Sequence, residues 1–298
     1  MKTSIVIRSY NEERHIGRLL EGIVSQAVDF DYEIILVDSG STDGTLEVAE
    51  EFPVKVVHIR PGDFSFGYSL NRGIEAGSGE FMVFISAHCY PENGNWLQNM
   101  IRPFEENGEI GLVYGKQRGN TVTRYSEHRI FRKWFPDTSI PVQAIPFCNN
   151  ANAAIRKALW EKVKYDESVT GLEDLAWARE VCEMGYRVSY TAEAGIIHVH
   201  NETYRQVCNR YRREAIAYRS IFKEETFGFF TFLRLTVLNV FSDYSHAIGD
   251  RVFFKNLFAI PLFRVNQFWG TYNGYRYKDK ISPELRQLFY YPVKRERR

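Results

Sequence analysis

Two adjacent acids, Glu173 and Asp174, stand at the predicted start of a helix and form the pair best suited to acid–base chemistry. A carboxylate within hydrogen-bond reach of a hydroxyl can remove its proton while that oxygen attacks an electrophilic carbon. Adjacent acids at a helix start also have a plainer explanation, because the helix dipole favours negative charge there. Spacing alone therefore leaves both roles open for this pair.

A third acid, Asp38, ends an apolar run and opens the polar, glycine-rich loop over residues 38–45. Its carboxylate can accept the N3–H of uracil or thymine, while nearby hydroxyl and backbone N–H groups orient the base and ribose. The same residue types also form Asx-turns and cap a following helix. Asp38 is thus a candidate nucleotide-binding residue, with a turn as the alternative.

Three histidines stand where they can ligate a metal or meet a phosphate. His88 follows the apolar run 81–85, and His198 and His200 are two residues apart in a later segment. On a strand that spacing directs both side chains to one face, as a metal pair requires, whereas a loop imposes no such direction. Imidazole nitrogen suits Mn²⁺ better than Mg²⁺, which prefers oxygen ligands.

These candidates must be positioned by an alternation of apolar strands and helices. The predicted strands are 3–9, 32–37, 54–59 and 81–85, and helical patterns lie between them. That alternation predicts an α/β fold with a doubly wound, mostly parallel sheet. Ligands bind such sheets at the carboxyl ends of the strands, so chemistry is expected in the loops that follow them.

The later part of the chain is less regular. We expect a strand at 110–116, a polar loop over 117–145, and helices at 153–162 and 174–184. From about residue 202 the chain reads as mostly helical, and aromatic residues become dense. The contrast predicts one domain over 1–220, which carries the candidate residues above, and a helical, aromatic-rich C-terminal region over 221–298.

Four motifs follow one another: Ser9-Tyr10-Asn11-Glu12, the 38–45 loop, Ala151-Asn152-Ala153-Ala154-Ile155-Arg156 and Gly171-Leu172-Glu173-Asp174. In this order they resemble the inverting glycosyltransferases of family 2, which have the GT-A fold. The resemblance implies a nucleoside diphosphate sugar donor, held by Ser9, Tyr10, Glu12, Asp38, Ser39 and Asn152. It also implies that Asp174 deprotonates the acceptor hydroxyl, with Glu173 binding the acceptor or supporting Asp174.

One motif departs from the family. Its members usually carry Asp-x-Asp after the fourth strand, where carboxylates hold Mg²⁺ or Mn²⁺ against the donor diphosphate, but this chain has Ser86-Ala87-His88. Two interpretations stay open. In one, His88 holds a divalent metal together with His198 or His200; in the other, histidine and arginine side chains bind the diphosphate without a metal. All three residues of the Ser-Ala-His stretch are taken as donor-site candidates.

The segment around Asn71 and Arg72, together with the Ser-Ala-His stretch, looks like a subset of family 2 proteins that lack Asp-x-Asp. The stretch 198–204 also resembles the segment after the Glu-Asp motif in bacterial rhamnosyltransferase-like members. Asn71 and Arg72 are therefore added as candidate contacts to base or phosphate. A place on a helix surface is the alternative for both.

Residues 226–269 mix aromatic residues and leucines with Arg234, Arg251, Lys255 and Arg264. Three roles fit that composition: an amphipathic surface lying on a membrane, a homodimer interface, or a helical cap on the catalytic domain. No uninterrupted apolar stretch reaches about 18 residues, so a spanning helix is not expected.

The net charge of +1 gives no bulk attraction to nucleic acid, which is not expected as a partner. The four cysteines are widely spaced, as in a reducing compartment, and the N-terminus lacks the pattern of a signal peptide. We therefore expect a cytoplasmic protein, placed on the inner face of the cell membrane if the membrane role of the tail holds.

The favoured function is inverting transfer of a sugar from a dTDP- or UDP-linked donor, with dTDP-rhamnose as one candidate. The acceptor is a hydroxyl of a glycan or lipid-linked glycan in the synthesis of cell-surface polysaccharide such as O-antigen. A nucleotidyltransferase is one alternative, but residues 8–18 lack its glycine-rich phosphate loop. A non-catalytic nucleotide- or sugar-binding protein is the other, although such a protein has no need of a base.

Overall fold

A computed structural model describes residues 2–279 and 281–291 of the chain. These residues divide into two compact units. The first comprises the chain up to Thr121, Phe131–Ser168 and Glu173–Val199; the second comprises Val122–Ile130, Val169–Leu172 and the described residues from His200 onwards. A compact unit is not by itself an independently folding domain, so the predicted domains 1–220 and 221–298 stay a prediction.

Nine strands form one sheet in the first unit. They are β1 Thr3–Ser9, β2 Tyr32–Asp38, β3 Val54–His58, β4 Phe81–Ser86, β5 Cys89–Pro91, β6 Ile110–Arg118, β7 Ile140–Gln143, β8 Asn152–Arg156 and β9 Arg187–His198. The order is β3-β2-β1-β4-β8-β6-β9-β5, and β7 pairs with β9. Strands β1 to β4, β6 and β9 share one direction, while β5, β7 and β8 run against it.

The parallel half of the sheet follows the apolar runs of the sequence. Ile5, Ile7, Leu36 and Val83 are almost fully buried, because helices cover both faces of a parallel sheet. The covering helices are α1 Glu13–Val24, α2 Thr45–Ala49, a 3₁₀ turn Pro61–Asp63, α3 Phe66–Ala76 and α4 Trp96–Glu106. Helix α3 lies very close to β1: a Cβ at Gly73 would stand 2.3 Å from Val6 Cγ1. Glycine is therefore required there by space.

The later half differs from two sequence-based expectations. Residues 153–162 were expected as one helix, but β8 pairs antiparallel with both β4 and β6, and only α6 Lys157–Trp160 is helical. Residues 117–145 were expected as a loop, but they contain α5 Tyr125–Trp134 and β7. In both segments tertiary pairing outweighs a weak local pattern. Helix α7 Glu173–Glu183 agrees with the expected 174–184 within one residue at each end.

The second unit is helical, with α8 Tyr204–Ile221, α9 Phe229–Gly249, α10 Phe253–Asn256, α11 Ala259–Arg276 and α12 Pro283–Tyr290. Thr203 and Gln206 form a capping box that starts α8. Helix α11 packs on α8 so closely that a Cβ at Gly270 would stand 2.2 Å from the Cys208 carbonyl oxygen. Among the described residues, no helix combines the length and apolar character needed to cross a membrane.

Asn71 on α3 organises the chain that follows β8. Its Nδ2 donates to the Tyr165 carbonyl and to Glu167 Oε1, at 3.0 and 2.8 Å. Its Oδ1 accepts from Trp160 Nε1 and from the Tyr165 backbone N–H, at 2.8 and 3.1 Å. These four bonds use every hydrogen-bonding position of the amide. The side chain is 1% exposed, so the network lies inside the protein.

Replacing Asn71 by alanine is predicted to lower the free energy of unfolding by about 2–4 kcal/mol, because buried donors of Trp160 and Tyr165 lose their acceptor. Urea unfolding followed by circular dichroism measures the change. Asn95→Ala is the matched control, since Asn95 is exposed and its side chain does not cap α4; it should change stability by less than about 0.5 kcal/mol. Equal effects of the two variants would contradict the structural role of Asn71.

Candidate active site

Three predicted site residues meet at the carboxyl edge of the parallel strands. Ser9 is the register partner of Asp38 across β1 and β2, and Ser86 at the end of β4 is the partner of Arg8. Because the ends of parallel strands lie at one edge, residues from three separate motifs come together. This is where a doubly wound sheet binds its ligand.

The carboxylate of Asp38 is held by the loop that it opens. Oδ2 accepts from the backbone N–H of Gly40 at 2.9 Å and of Ser41 at 3.1 Å. The side chain is 2% exposed, and the exposed His58 has its Nδ1 3.9 Å from Oδ2. These bonds form the Asx-turn expected as the alternative. A carboxylate has about four lone-pair sites, so they leave capacity for a ligand N–H.

The loops after β1 and β2 are joined to each other. Asn11 Oδ1 accepts from the Thr42 backbone N–H at 2.8 Å, and the Asn11 N–H donates to Ser41 Oγ at 3.0 Å. The Glu12 N–H donates to Thr45 Oγ1 at 2.8 Å. Asn11 adopts φ 54°, a left-handed conformation that asparagine tolerates better than most residues. The two loops therefore form one cross-linked rim.

Ser9 and Ser39 lie beneath this rim. The Ser39 hydroxyl donates to the Ser9 carbonyl at 3.2 Å. Ser9 Oγ is buried and has no hydrogen-bond partner within the part of the chain that the structure describes. A buried hydroxyl is usually satisfied, so this one points to a ligand or water. Tyr10 is half-buried beside it, and Ala87 is buried after β4.

His88 and His198 face each other across 3.2 Å between their Nε2 atoms. The Nδ1 of His88 lies 3.1 Å from Glu12 Oε1, and the Nδ1 of His198 lies 2.8 Å from Gln117 Oε1. Both partner atoms are oxygen acceptors, which favour the neutral tautomer with its proton on Nδ1. The lone pairs of the two Nε2 atoms then point at one another, an arrangement that a shared cation or proton would stabilise.

The Nδ1 partners and the Nε2 spacing of this pair fit one bound metal ion. Histidines that bind a metal usually give their other N–H to an oxygen acceptor, as both do here. Two nitrogens at about 2.1 Å from one ion, at an angle of 90–109°, stand about 3.0–3.4 Å apart, which includes the observed separation. The donor set is nitrogen-rich, in contrast to the carboxylates of Asp-x-Asp.

Glu173 and Asp174 begin α7 and are both buried. Glu173 Oε1 lies 3.1 Å from Arg8 Nη1, which joins the acid pair to β1. Asp174 Oδ2 accepts from the Asn150 backbone N–H at 3.0 Å, and Oδ1 accepts from the Leu175 N–H at 2.8 Å. The carboxyl group of Asp174 is therefore fixed in orientation by the backbone.

Burial, followed by the negative charge of Glu173, raises the pKa of Asp174 to about 7. The two backbone N–H groups and Arg8 act in the opposite direction without cancelling this shift. A carboxyl group with such a pKa changes protonation near neutral pH, which is where a general base works best. Perturbed acids of this kind cluster at functional sites.

The residue before this pair is strained. Leu172 adopts φ 57°, a region that bulky residues rarely occupy and that often marks a functional site. Within the second unit its side chain lines a depression of about 270 Å³. The other lining residues include Tyr211, Glu214, Tyr218, Phe227 and Tyr275. A mostly apolar wall with a few polar groups suits a small ligand.

Three residues predicted to contact the donor sugar nucleotide make their hydrogen bonds or ion pairs elsewhere in the first unit. Asn71 uses its whole amide in the network described above. Arg72 pairs with Glu75 at 2.6 Å on an exposed part of α3. Asn152 is fully buried: its Nδ2 donates to the Lys116 and Ala194 carbonyls, and its Oδ1 accepts from Trp96 Nε1. A contact between any of these three residues and a nucleotide-sugar donor stays a prediction, and the bonds described here do not support it.

His200 belongs to the second unit. Its Nδ1 lies 3.2 Å from Glu127 Oε1, and ligand atoms of Glu127, His200 and Glu202 lie within 4.8 Å of one another. Arg210 already pairs with both carboxylates, at 2.9 and 2.8 Å. Although burial raises it, Arg210 and His200 lower the pKa of Glu127 to about 2. A guanidinium thus supplies the positive charge here, and a metal role for His200 stays a prediction.

Sequence reasoning missed Arg8 and Asn150. Arg8 follows the buried apolar residues 5–7 of β1, and this position was a usable signal, because a charge in a largely buried strand needs a partner. Asn150 is 2% exposed, its N–H binds Asp174, and its Oδ1 has no partner among the described residues. Only the position of Asn150 beside the Ala151–Arg156 motif hinted at a role.

Comparison with known proteins identifies the family of this chain. Residues 4–164 match glycosyl transferase family 2. The chain belongs to that family. The resemblance drawn from the four motifs is therefore confirmed at the level of the family.

Two curated relatives are O-antigen chain rhamnosyltransferases. WbaN of Salmonella anatum is 27% identical over 191 residues, which are 60% of this chain and 60% of that protein. RfbN of Salmonella typhimurium is 25% identical over 224 residues, 71% of this chain and 70% of that protein. The match to the first relative thus spans less than two thirds of its length.

Solved structures share the fold. The mannosyltransferase PcManGT from Pyrobaculum calidifontis, in complex with GDP-Man and Mn²⁺, has a TM-score of 0.60 at 19% identity, over 92% of this chain and 84% of that one. S. aureus TarS in complex with UDP-GlcNAc has a TM-score of 0.54 at 17% identity, over 95% of each chain. The predicted GT-A fold, with its mostly parallel sheet and helical C-terminal region, is confirmed.

The pKa of Asp174 predicts that one aspartate titrates near pH 7. Carbon-13 NMR of protein labelled at the aspartate carboxyl carbons would follow each group between pH 4 and 9. The signal with the high midpoint should be missing in Asp174→Asn and present in Asp29→Asn, a control at an exposed aspartate. If every aspartate titrates below pH 5, the burial argument for Asp174 fails.

Proposed function

We propose that this protein is an inverting glycosyltransferase that moves a sugar from a nucleoside diphosphate sugar to a hydroxyl of a glycan or lipid-linked glycan. The observation that carries the proposal is the buried carboxyl group of Asp174, oriented by two backbone N–H groups and poised to change protonation near neutral pH. A non-catalytic binding protein has no need of such a group. The family supports the reaction class.

We further propose a role in the synthesis of cell-surface polysaccharide. The relatives WbaN and RfbN are named as O-antigen chain rhamnosyltransferases, and this favours dTDP-rhamnose among the candidate donors. TarS binds UDP-GlcNAc and PcManGT binds GDP-Man, so the fold accepts several nucleotides. The four cysteines are free thiols, which is consistent with the cytoplasm as the site of action.

The donor nucleotide is assigned to the rim formed by the loops after β1 and β2. The remaining acceptor capacity of Asp38 suits the N3–H of uracil or thymine. The Ser9 hydroxyl, which has no hydrogen-bond partner among the described residues, suits the base or ribose. This assignment favours UDP- and dTDP-sugars over donors whose base lacks that N–H.

Asp174 is the proposed base. Above pH 7 its carboxylate accepts the proton of the acceptor hydroxyl, and the resulting oxygen nucleophile bonds to C1 of the donor sugar. The bond from C1 to the diphosphate oxygen breaks on the opposite face, and the nucleoside diphosphate leaves with that electron pair. Attack from the opposite face inverts the configuration at C1. Glu173, paired with Arg8, orients the acceptor or supports Asp174.

His88 and His198 are the residues proposed to hold a divalent cation, with Mn²⁺ favoured by the nitrogen donors. Such an ion, when bound, neutralises negative charge on the diphosphate. Glu12 and Gln117 fix the orientation of the two rings through their Nδ1 atoms. The protein's own part is to keep both Nε2 atoms directed to one point.

Asp174→Asn is predicted to lower turnover by about 10²–10⁴-fold, because asparagine cannot accept the proton. Wild-type turnover should rise with pH, with a midpoint near 7, as the carboxyl group ionises. The assay measures release of UDP or dTDP from candidate donors with lipid-linked glycan acceptors. Asp29→Asn, at an exposed site, should retain turnover.

Nucleotide binding distinguishes a variant that has lost only the catalytic base from a variant that is misfolded. In a thermal-shift panel of UDP, dTDP, GDP and CMP, a nucleotide at about 100 times its dissociation constant adds about 2.7 kcal/mol of stability. UDP or dTDP should stabilise Asp174→Asn as much as wild type. Full turnover by Asp174→Asn would exclude it as the base, and no response of wild type to any nucleotide would argue against the proposed function.

The histidine pair predicts that Mn²⁺ strengthens the stabilisation by UDP or dTDP, and that EDTA removes this gain. His88→Gln and His198→Gln should each abolish the gain, because each removes one of the two facing nitrogens. His246→Gln is the control, since His246 is exposed on α9. Equal stabilisation with Mn²⁺ and EDTA in wild type would show that the diphosphate is held without a metal.

A further inference from the structure

Helix α9 turns an apolar face outward. Phe230, Val237, Phe241 and Ile248 are 85%, 50%, 67% and 62% exposed. Their spacing of seven, four and seven residues places them along one side of the helix, with Leu233 and Leu238 at its flanks. A helix on the surface of a protein in water normally presents polar residues on this side.

The opposite side of α9 buries Phe232 and Ala247 together with two polar residues. Asp243 is 2% exposed and pairs with Arg264 of α11 through two bonds of 2.8 and 2.9 Å. Ser126 Oγ donates to the same carboxylate at 2.7 Å, and Thr236 is also buried. An ion pair thus lies between the helices where apolar side chains would normally pack.

Helix α11 likewise buries polar residues beside the apolar Ile260 and Phe263. It buries Arg264 and Gln267, which are hydrogen-bonded to each other at 2.8 Å. Leu262, Val265 and Trp269 are 48%, 42% and 42% exposed, and Phe258 just before the helix is 77% exposed. Phe254 of α10 adds a side chain that is 87% exposed. We call these outward apolar residues of α9, α10 and α11 the apolar face.

Exposed apolar residues are ordinary one at a time, but a continuous group on neighbouring helices marks a surface that is covered in use. The buried ion pair makes the point stronger, because α9 places Asp243 inside while Phe230 and Phe241 are exposed. Such an arrangement is stable when the outer medium is itself apolar. No helix of the described chain is suited to span a bilayer, so the face would lie along a surface.

The charges beside the apolar face indicate the nature of that surface. Arg234, Arg251 and Lys255 are exposed among its residues. Of the acids in the same stretch, Asp243 is buried in its ion pair and Asp250 accepts from Tyr125 Oη at 2.7 Å. A second copy of the chain would bring cations against cations, whereas anionic lipid headgroups complement them.

We propose that the apolar face docks on a membrane that contains anionic lipids, with the phenylalanines in the acyl boundary and the three cations at the headgroups. Membrane contact is independent of the proposed sugar transfer. It commits the apolar face to a lipid surface in place of a second copy of the chain.

The test uses the full chain and flotation with vesicles of neutral phosphatidylcholine, with and without phosphatidylglycerol. The wild type should float with the anionic vesicles, and less so in high salt. Phe230→Ser/Phe241→Ser should weaken the partition coefficient by about ten-fold for each phenylalanine removed. The control Val24→Ser/Met184→Ser removes two side chains that are each 42% exposed and lie outside the face, and it should float like wild type.

Thermal unfolding confirms that each variant is folded, which is expected because the substituted side chains are exposed. Light scattering gives the oligomeric state of each protein without vesicles. Failure of the wild type to float, or equal flotation of the two double variants, would overturn the proposal. A wild-type dimer that Phe230→Ser/Phe241→Ser converts to a monomer, with no binding to vesicles, would assign the face to a second copy.

Discussion

The ion pair between Arg8 and Glu173 is the interaction on which the candidate site depends. Arg8 belongs to β1, whose end carries Ser9, and Glu173 begins the helix that carries Asp174. Both side chains are largely buried, at 16% and 5% exposure. Removing either partner would leave a buried charge unpaired, which typically costs about 3–5 kcal/mol. The pair therefore connects the carboxyl edge of the parallel strands to the two acids at the start of α7.

The parallel half of the fold was predictable because its strands are buried on both faces. Runs such as 34–37 and 81–85 are apolar throughout, and no helical pattern competes with them. Polar residues that follow such runs must lie at the carboxyl edge, so Asp38 and His88 could be placed from order along the chain alone. In this half of the fold, the apolar runs and their order along the chain are enough to predict which residues meet at the carboxyl edge.

The later strands and the acid site depend on contacts between residues that are distant in sequence. The segment Asn152–Arg156 contains two alanines and reads as a helix, yet two neighbouring strands recruit it into the sheet. Arg8 and Glu173 are 165 positions apart, and no local pattern couples them. The aromatic tail indicated a covered surface, but the buried side of α9 includes Asp243, whose partner Arg264 is 21 positions away.

The cross-linked rim has a consequence for the kinetics of ligand binding. Asn11, Ser41, Thr42 and Thr45 hold the two loops together through their own hydrogen bonds, without any ligand. A rim that is ordered during folding loses little further conformational entropy when a nucleotide arrives. Association should then proceed at a similar rate for competing nucleotides. Discrimination among bases would appear chiefly as a difference in residence time.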